Sequence, residues 1–150
     1  MIRTGNQYRE SLRDGREIWM NGERVKDVTC HPQFQPLINI RARIYDLQHE
    51  DKTKNLMTYE EEGESFAIGL RLPFEKKDWE DKRKAVDTVM NDIGGIVTRV
   101  GDETIGEMWS LWDGKDMLNE IDPRFGENIE RHIHLAIKND PFHVSANTDP

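Results

Sequence analysis

The chain has 150 residues, with 21 Lys and Arg against 29 Asp and Glu, so its formal charge is −8 at pH 7. An acidic surface repels the phosphates of nucleic acids, and no basic block interrupts the mixed-sign pattern. The N-terminus lacks the apolar stretch of a signal peptide and no apolar run reaches the length of a membrane span, so we expect one cytoplasmic domain. Cys30 is the only cysteine, which excludes intrachain disulfides and multi-thiolate metal clusters.

Local signals predict a short helix and a hairpin at the start of the chain. Thr4 and Gln7 have the spacing of a capping box, so a helix should begin there. Within 17–26, two short extended segments flank Asn21-Gly22, the pair that most readily adopts the positive φ angles of a type I′ turn.

Apolar residues spaced by three and four positions predict four further helices, at about 32–49, 75–93, 103–113 and 125–138. Two short strands at 56–59 and 65–72 are predicted around an acidic loop. The buried stripe of the 75–93 helix is expected to comprise Trp79, Val86, Met90 and Ile93. We therefore predict a mainly α fold with small β-hairpins.

Most histidines and acidic residues have patterns typical of structure rather than chemistry. His132 and His134 project about 200° apart on a helix and cannot bind one ion together, so we expect surface or partly buried side chains. His31 precedes a proline, which favours a turn or hydrogen-bonding role. The acidic run 60–62 is typical of a solvated loop, since it lacks the fixed, desolvated geometry that tunes carboxylate pKa values. His143 lies in the C-terminal segment and is a candidate ligand-binding residue.

Arg99 is the candidate whose setting points to a site. It lies in a glycine-bounded turn over 94–102, where its guanidinium could face a cleft and stabilise an anion, with a surface or capping arginine as the alternative. Trp109 and Trp112 have helical spacing, which favours core packing over flanking a flat ligand. Composition and spacing alone name no reaction.

Three blocks of the sequence resemble the N-terminal region of the 4-hydroxyphenylacetate 3-hydroxylase family, the oxygenase components of two-component flavin monooxygenases. The blocks are RTGNQYRESLRDGREIWMNGERVKDVTCHP at 3–32, ARIYDLQHED at 42–51 and LMTYEEEGE at 56–64. The Gly-Gly-x-x-x-Arg turn at 94–99 and the small-residue segment at 145–150 extend the likeness over essentially the whole chain.

This resemblance implies that residues 1–150 are the N-terminal helical domain of an acyl-CoA dehydrogenase-like fold. A middle β domain and a C-terminal helical bundle that builds a homotetramer would lie outside the chain. The implied activity is hydroxylation of an aromatic or heteroaromatic ring through a C4a-hydroperoxyflavin in aromatic catabolism. The cofactor would be reduced FAD, delivered by a separate flavin reductase, with O2 as co-substrate.

The resemblance also assigns site residues. Arg99 corresponds to the family arginine that lines the substrate pocket and takes part in catalysis, and Glu103 and His143 are assigned to substrate binding. Residues beside the flavin ring would be Ser145, Ala146, Asn147 and Thr148. Phenol hydroxylases of the family carry tyrosine where this chain has Glu103, and histidine where it has Ser145. A heteroaromatic carboxylate or a halogenated or nitro-aromatic ring is therefore a substrate candidate beside 4-hydroxyphenylacetate.

Two alternatives stay open at the sequence level. The superfamily includes flavin-dependent 4-hydroxybutyryl-CoA dehydratases and vinylacetyl-CoA isomerases, whose cluster cysteines would fall near Gly95 and Arg99, and the lack of cysteine there favours the monooxygenase. The other alternative is a non-catalytic helical interaction module or fragment. It is suggested by a thin core, since Leu, Ile, Val and Phe make up only about 23% of the chain.

Overall fold

The computed structural model describes the backbone of residues 1–95, 99 and 103–144, and the side chains of these residues except Glu103 and Thr104. The helices are α1 (Gly5–Ser11), α2 (Gln35–Asp46), α3 (Lys54–Met57), α4 (Lys76–Ile93), α5 (Glu103–Asp113), α6 (Lys115–Asn119) and α7 (Pro123–Asn139). The strands are β1 (Ile18–Met20), β2 (Glu23–Val25), β3 (Thr58–Glu61) and β4 (Glu64–Ala67). They form two antiparallel hairpins, so the predicted mainly α class is confirmed.

The N-terminal predictions are confirmed. The Gln7 amide donates to the Thr4 hydroxyl, and the Gln7 side chain accepts from the Thr4 amide, which completes the capping box of α1. Asn21 and Gly22 both have positive φ, at 51° and 83°, and join β1 to β2. Each of these two features depends on residues at most three positions apart, which is why the sequence alone locates the helix start and the turn.

The second hairpin differs from its prediction at both ends. Leu56 and Met57 belong to the helical turn α3 rather than to a strand, and residues Ile68–Leu70 form a 3₁₀ turn after β4. The helical turn places Met57 in the core at 2% exposure. In the 3₁₀ turn, Ile68 and Leu70 enter two different apolar clusters, whereas alternate residues of a strand would face the same side.

Three other helix predictions need correction. The helix predicted at 32–49 is shorter, because α2 ends at Asp46 and a buried turn follows it. The predicted stripe of α4 is confirmed only in part, since Val86 and Ile93 pack partly buried against the core while Trp79 is 52% exposed and Met90 37%. The fully buried positions lie about one residue away, at Asp78, Lys82, Ala85 and Val89. Two of these are charged, so an apolar pattern could not identify them. The short α6 was missed since it buries no residue fully.

The core consists of three adjoining apolar clusters. One lies between α2, α3 and α4 around Ile44 and Val89, and a second lies between β4, α5 and α7 around Ile105 and Ile133. The third lies between α1 and α2 around Tyr8 and is completed by Phe142 from the segment after α7. No helix of the described residues is both long and apolar enough to cross a bilayer.

Lys82 is a buried cation that joins the 3₁₀ turn, α4 and α5. Its side chain is 3% exposed, and Nζ donates to the carbonyls of Ile68 at 2.7 Å and Gly69 at 3.1 Å. Nζ also lies 4.4 Å from the centroid of the Trp109 ring. Burial lowers the pKa of Lys82 to about 7, although the Asp78 carboxylate opposes this shift.

This lowered pKa predicts how stability depends on pH. Between pH 7 and about 10.4, unfolded Lys82 holds a proton that the folded residue has lost, so the free energy of unfolding rises with pH by up to about 1.4 kcal/mol per unit. Lys82→Met should remove this rise, as measured by urea unfolding across the range. Lys84→Met is the control, because Lys84 is exposed and pairs with Asp81. The same pH dependence in wild type and Lys82→Met would contradict the prediction.

A second prediction concerns the contact between α1 and α2. A Cβ on Gly5 would lie 2.6 Å from the Ala42 carbonyl oxygen, and the Gly5 amide donates to Asp46 at 2.8 Å. Gly5→Ala should therefore separate the helices and lower the free energy of unfolding by about 1–3 kcal/mol. Gly106→Ala, which meets open space, should be neutral or slightly stabilising. Equal unfolding midpoints for the two variants would refute a close approach at Gly5.

Candidate active site

Arg99 is buried. This agrees with the prediction that its guanidinium faces the interior, and it excludes the alternative of a surface arginine. Its side chain is 5% exposed and forms an ion pair with Asp140 through Nη2, which also donates to the Pro141 carbonyl at 3.1 Å. The backbone of Arg99 has φ 56°, a left-handed conformation that non-glycine residues rarely adopt. The surrounding contacts therefore hold Arg99 in a strained conformation, which is common at functional sites.

Asp140 receives hydrogen bonds from three separate parts of the chain. It is the C-cap residue of α7, with φ 49°, and it is fully buried. Its Oδ1 accepts from Arg99, while Oδ2 accepts from the Arg3 amide at 2.9 Å and from Gln48 Nε2 at 3.0 Å. A carboxylate with this many donors is fixed in position as well as neutralised.

Tyr45 forms the aromatic wall of the cluster. The Arg99 guanidinium carbon lies 4.2 Å from the centroid of the Tyr45 ring, within the range of a cation–π contact. The Tyr45 hydroxyl donates to the Asp140 carbonyl at 3.1 Å. Burial raises the pKa of Tyr45 to about 12, so the phenol stays neutral at physiological pH.

The charge of Arg99 is maintained in spite of its burial. Desolvation by itself lowers the pKa of Arg99, but attraction from Asp140, together with Tyr45, outweighs it, and the pKa lies above its usual value. Among the described residues, Nε of Arg99 is buried without a hydrogen-bond partner. The cluster is thus an almost neutral ion pair that retains one buried donor.

The segment after α7 is brought to Arg99 through Pro141. Phe142 lies 5.8 Å from the Tyr8 ring and 6.5 Å from the Tyr45 ring, measured between centroids. His143, the candidate binding residue, packs edge-on against His132 with ring centroids 5.7 Å apart. The structure therefore places Pro141 and Phe142 beside the arginine cluster, whereas His143 contacts His132 on α7.

Two other sets of predicted site residues lie outside the part of the chain that the structure describes. Glu103 is the first residue of α5, but its side chain falls outside the described atoms. Ser145, Ala146, Asn147 and Thr148 also lie outside the described residues. Their assignment to substrate and flavin therefore stays a prediction.

The structural interpretations of the other candidates are confirmed. Both Trp109 and Trp112 pack against the cluster between α5 and α7. His31 accepts from the Gln33 amide in a turn, and His132 and His134 are exposed on α7. Across residues 1–95, 99 and 103–144, no group of three or more histidine, cysteine or acidic residues could hold a metal ion.

Sequence reasoning missed the partners of Arg99. Asp140 stands in the run Asn139-Asp140-Pro141, which is typical of the end of a helix and does not indicate a buried carboxylate. Tyr45 and Gln48 lie in the 42–51 block that carries the family resemblance, which was the one available indication. Their convergence on Asp140 depends on contacts across more than ninety residues of sequence.

Comparison with known proteins assigns the family. The model described as 4-hydroxyphenylacetate 3-hydroxylase N terminal matches residues 4–150. The chain belongs to this family. A 4-hydroxyphenylacetate 3-monooxygenase oxygenase component of Thermus thermophilus is 29% identical over 151 residues, covering 100% of the chain and 31% of that relative. A 2,4,6-trichlorophenol monooxygenase of Cupriavidus pinatubonensis is 35% identical over 96 residues, covering 63% of the chain and 19% of that relative.

Solved structures agree with the family assignment. The oxygenase component of 4-hydroxyphenylacetate 3-monooxygenase, complexed with FAD and 4-hydroxyphenylacetate, matches 92% of the chain and 28% of its own length, with a TM-score of 0.78 and 27% identity. An archaeal 4-hydroxybutyryl-CoA dehydratase from N. maritimus, at 22% identity and TM-score 0.80 over 95% of the chain and 28% of its own, shares the fold. Both confirm the predicted acyl-CoA dehydrogenase-like class. The chain spans less than a third of the length of these hydroxylase relatives.

The buried pair predicts strong coupling between Arg99 and Asp140. Either Arg99→Met or Asp140→Asn leaves one charge buried alone and should lower the free energy of unfolding by about 3–5 kcal/mol. The double variant should cost well below the sum of the single changes, as measured by denaturant unfolding in a double-mutant cycle. The exposed pair Arg16–Asp14 is the control and should show coupling below about 1 kcal/mol. Additive effects at 99 and 140 would show that the two charges do not interact.

Proposed function

We propose that residues 1–150 form the N-terminal helical domain of an oxygenase component that hydroxylates an aromatic or heteroaromatic ring with reduced FAD and O2. The family assignment supports this reaction class. The relatives that the chain matches include a 4-hydroxyphenylacetate 3-monooxygenase oxygenase component and a 2,4,6-trichlorophenol monooxygenase. The observation that carries the proposal is the buried Arg99 guanidinium, fixed by Asp140 and Tyr45 with Nε left to donate.

Arg99 would act by positioning and by electrostatic stabilisation. An Nε donor held in a buried setting can bind the ring oxygen of the substrate and stabilise negative charge that develops there during hydroxylation. The ion pair and the Tyr45 ring fix the guanidinium before the substrate arrives, so little reorganisation is needed. The surrounding apolar side chains exclude water, which strengthens the interaction.

The flavin of the proposed oxygenase would lie beside this arginine. Nη2 of Arg99 donates to Pro141, so the guanidinium adjoins the start of the segment that leads to residues 145–148. These residues would lie along the flavin ring, as the resemblance implies. Reduced FAD, when bound, supplies the electrons that activate O2, and a separate flavin reductase would deliver it. The crystal structure of the related 4-hydroxyphenylacetate 3-monooxygenase oxygenase component contains bound FAD.

The substrate class follows from the residues that differ from phenol hydroxylases. Glu103 and Ser145 stand where those enzymes have tyrosine and histidine, so two phenol-binding groups are replaced. His143 is proposed as a substrate-facing group, and its contact with His132 would orient its ring. A halogenated or nitro-aromatic ring, or a heteroaromatic carboxylate, is therefore proposed beside 4-hydroxyphenylacetate. The homotetramer, the cytoplasmic location and the catabolic role stay predictions.

The interaction-module alternative has some structural support. Several apolar side chains of α5–α7 are exposed, including Leu111 at 49%, Ile121 at 75% and Leu135 at 50%. Exposed apolar side chains also suit a domain that packs against the rest of an oxygenase, so they do not favour the alternative over the enzyme. The dehydratase or isomerase alternative shares the fold, but the chain lacks cysteine at Gly95 and Arg99.

The test uses the complete oxygenase polypeptide, reduced FAD and isotopically labelled O2 with a panel of phenols and heteroaromatic acids. We expect labelled hydroxylated product from at least one ring. Arg99→Lys should lower product formed per flavin oxidised by about tenfold or more, because lysine cannot reproduce the Nε geometry, while the Kd for FAD changes little. Arg43→Lys, in an exposed ion-pair cluster, is the matched control.

Two results would overturn the proposal. Wild-type protein that oxidises reduced FAD without labelled product from any ring would exclude the oxygenase assignment. Equal losses of FAD binding and coupling in Arg99→Lys would reassign Arg99 to cofactor binding or structure.

A further inference from the structure

One arginine of α2 has no polar partner. Among the described residues, Arg41 is the arginine whose guanidinium forms neither an ion pair nor a hydrogen bond, and its Nε is buried. The guanidinium carbon lies over the Phe142 ring, 4.7 Å from its centroid. We propose that Arg41 is an anion-binding residue of the candidate site, which receives the carboxylate of an aromatic substrate or a phosphate of FAD. This inference rests on the proposed function, which supplies both ligands.

Stacking on an aromatic ring leaves the donors of a guanidinium available. The group is planar, and its N–H bonds lie in that plane, so they point past the ring that the plane covers. Arg41 and Phe142 are both partly buried, which limits the competition from water for these donors. An oxyanion at the edge of the Arg41 guanidinium would form charge-assisted hydrogen bonds and leave the contact with Phe142 intact.

Arg41 belongs to the same region of the fold as Arg99. Arg41 and Tyr45 are one helical turn apart on α2 and so share a face of that helix. Arg99 lies over the Tyr45 ring and donates to the Pro141 carbonyl, and the next residue, Phe142, contacts both Tyr45 and Arg41. The two guanidiniums therefore contact successive residues of one segment.

The arginines of this region outnumber its carboxylates. Besides Arg99, the Arg3 guanidinium lies near the Tyr45 ring, 5.7 Å from its centroid. Asp140 pairs with Arg99, and Asp46, the residue after Tyr45, accepts from a backbone amide of α1. With the stacked guanidinium of α2, three arginines thus stand beside two aspartates, although the whole chain has a formal charge of −8. A further anion is therefore attracted to this region rather than repelled.

Both ligands of the proposed site carry a suitable group. Arg99 and Arg41 contact rings whose centroids are 6.5 Å apart, so a ligand built on a substituted benzene ring can reach both guanidiniums. Its ring oxygen would lie at Nε of Arg99 and its carboxylate at Arg41. FAD carries a diphosphate, and the proposed flavin-side segment begins three residues after Phe142. A carboxylate at Arg41 would favour 4-hydroxyphenylacetate or a heteroaromatic carboxylate over an uncharged ring of the same shape.

Matched pairs of ligands test the proposal on the complete oxygenase polypeptide under anaerobic conditions. 4-Hydroxyphenylacetate is compared with 4-ethylphenol, which has a methyl group in place of the carboxylate, and reduced FAD is compared with reduced riboflavin, which lacks the phosphates. Isothermal titration calorimetry gives the Kd values for wild type and for Arg41→Met, whose unbranched side chain can still cover the Phe142 ring. We expect Arg41→Met to weaken binding of one anionic ligand by about tenfold or more, and of its uncharged counterpart by about twofold or less.

The ligand that loses affinity identifies the anion. A loss confined to 4-hydroxyphenylacetate assigns Arg41 to the substrate carboxylate, and a loss confined to reduced FAD assigns Arg41 to a phosphate. Arg41→Lys retains the charge but not the planar array of donors, so it should show the same selective loss at a smaller size. This second variant keeps the proposal testable if Arg41→Met does not fold.

Arg43→Met is the matched control. Arg43 lies on the same helix, and the substitution removes the same charge, but its guanidinium is already paired with Glu50 and Asp92. Its loss should leave all four Kd values unchanged. Unchanged Kd values in the Arg41 variants, with or without a loss of stability, or equal changes in Arg43→Met would overturn the proposal. Selective binding without hydroxylated product from any ring would refute the proposed function and leave the anion site established.

Discussion

The ion pair between Arg99 and Asp140 is the constraint on which the candidate site depends. Two buried charges are tolerated only when they neutralise each other and their remaining hydrogen-bonding groups find partners. Here the partners come from the N-terminal segment, α2 and the end of α7, so the pair connects distant parts of the chain. A hydrophobic contact would join these segments without fixing their orientation to the same degree.

The pair also explains why the site has a specific chemical character. Tyr45 stays neutral, and both carboxylate oxygens of Asp140 accept hydrogen bonds. Among the described residues, Nε of Arg99 is a buried donor without a hydrogen-bond partner, as is Nε of Arg41. The ion pair is fixed before a ligand arrives, and its two charges offset each other. The proposed hydroxylase would therefore bind the oxygen of its ring through a hydrogen bond directed from Nε.

The fold by itself does not select this chemistry. The archaeal dehydratase shares the arrangement of helices at 22% identity, while the family match and the hydroxylase relatives depend on particular residues of the chain. Lys82 illustrates the same distinction within the chain. It is as buried as Arg99, yet its ammonium group donates to two carbonyls and so completes the fold rather than offering a donor to a ligand. A buried charged side chain therefore indicates a binding site only when one of its polar atoms has no partner within the protein and can bind a ligand.

The sequence by itself determined those features that arise between near neighbours. The Thr4 capping box, the Asn21-Gly22 turn and the main helices follow from backbone preferences and apolar periodicity within a few residues, and Arg99 stood out because glycines flank its turn. Only the tertiary structure decided that α4 buries Asp78 and Lys82 in place of Trp79, because charged residues enter a core only where distant groups compensate them. It likewise decided that Asp140, Tyr45 and Gln48 surround Arg99. These contacts join residues far apart in the chain, and no local propensity encodes which distant donor a carboxylate will meet.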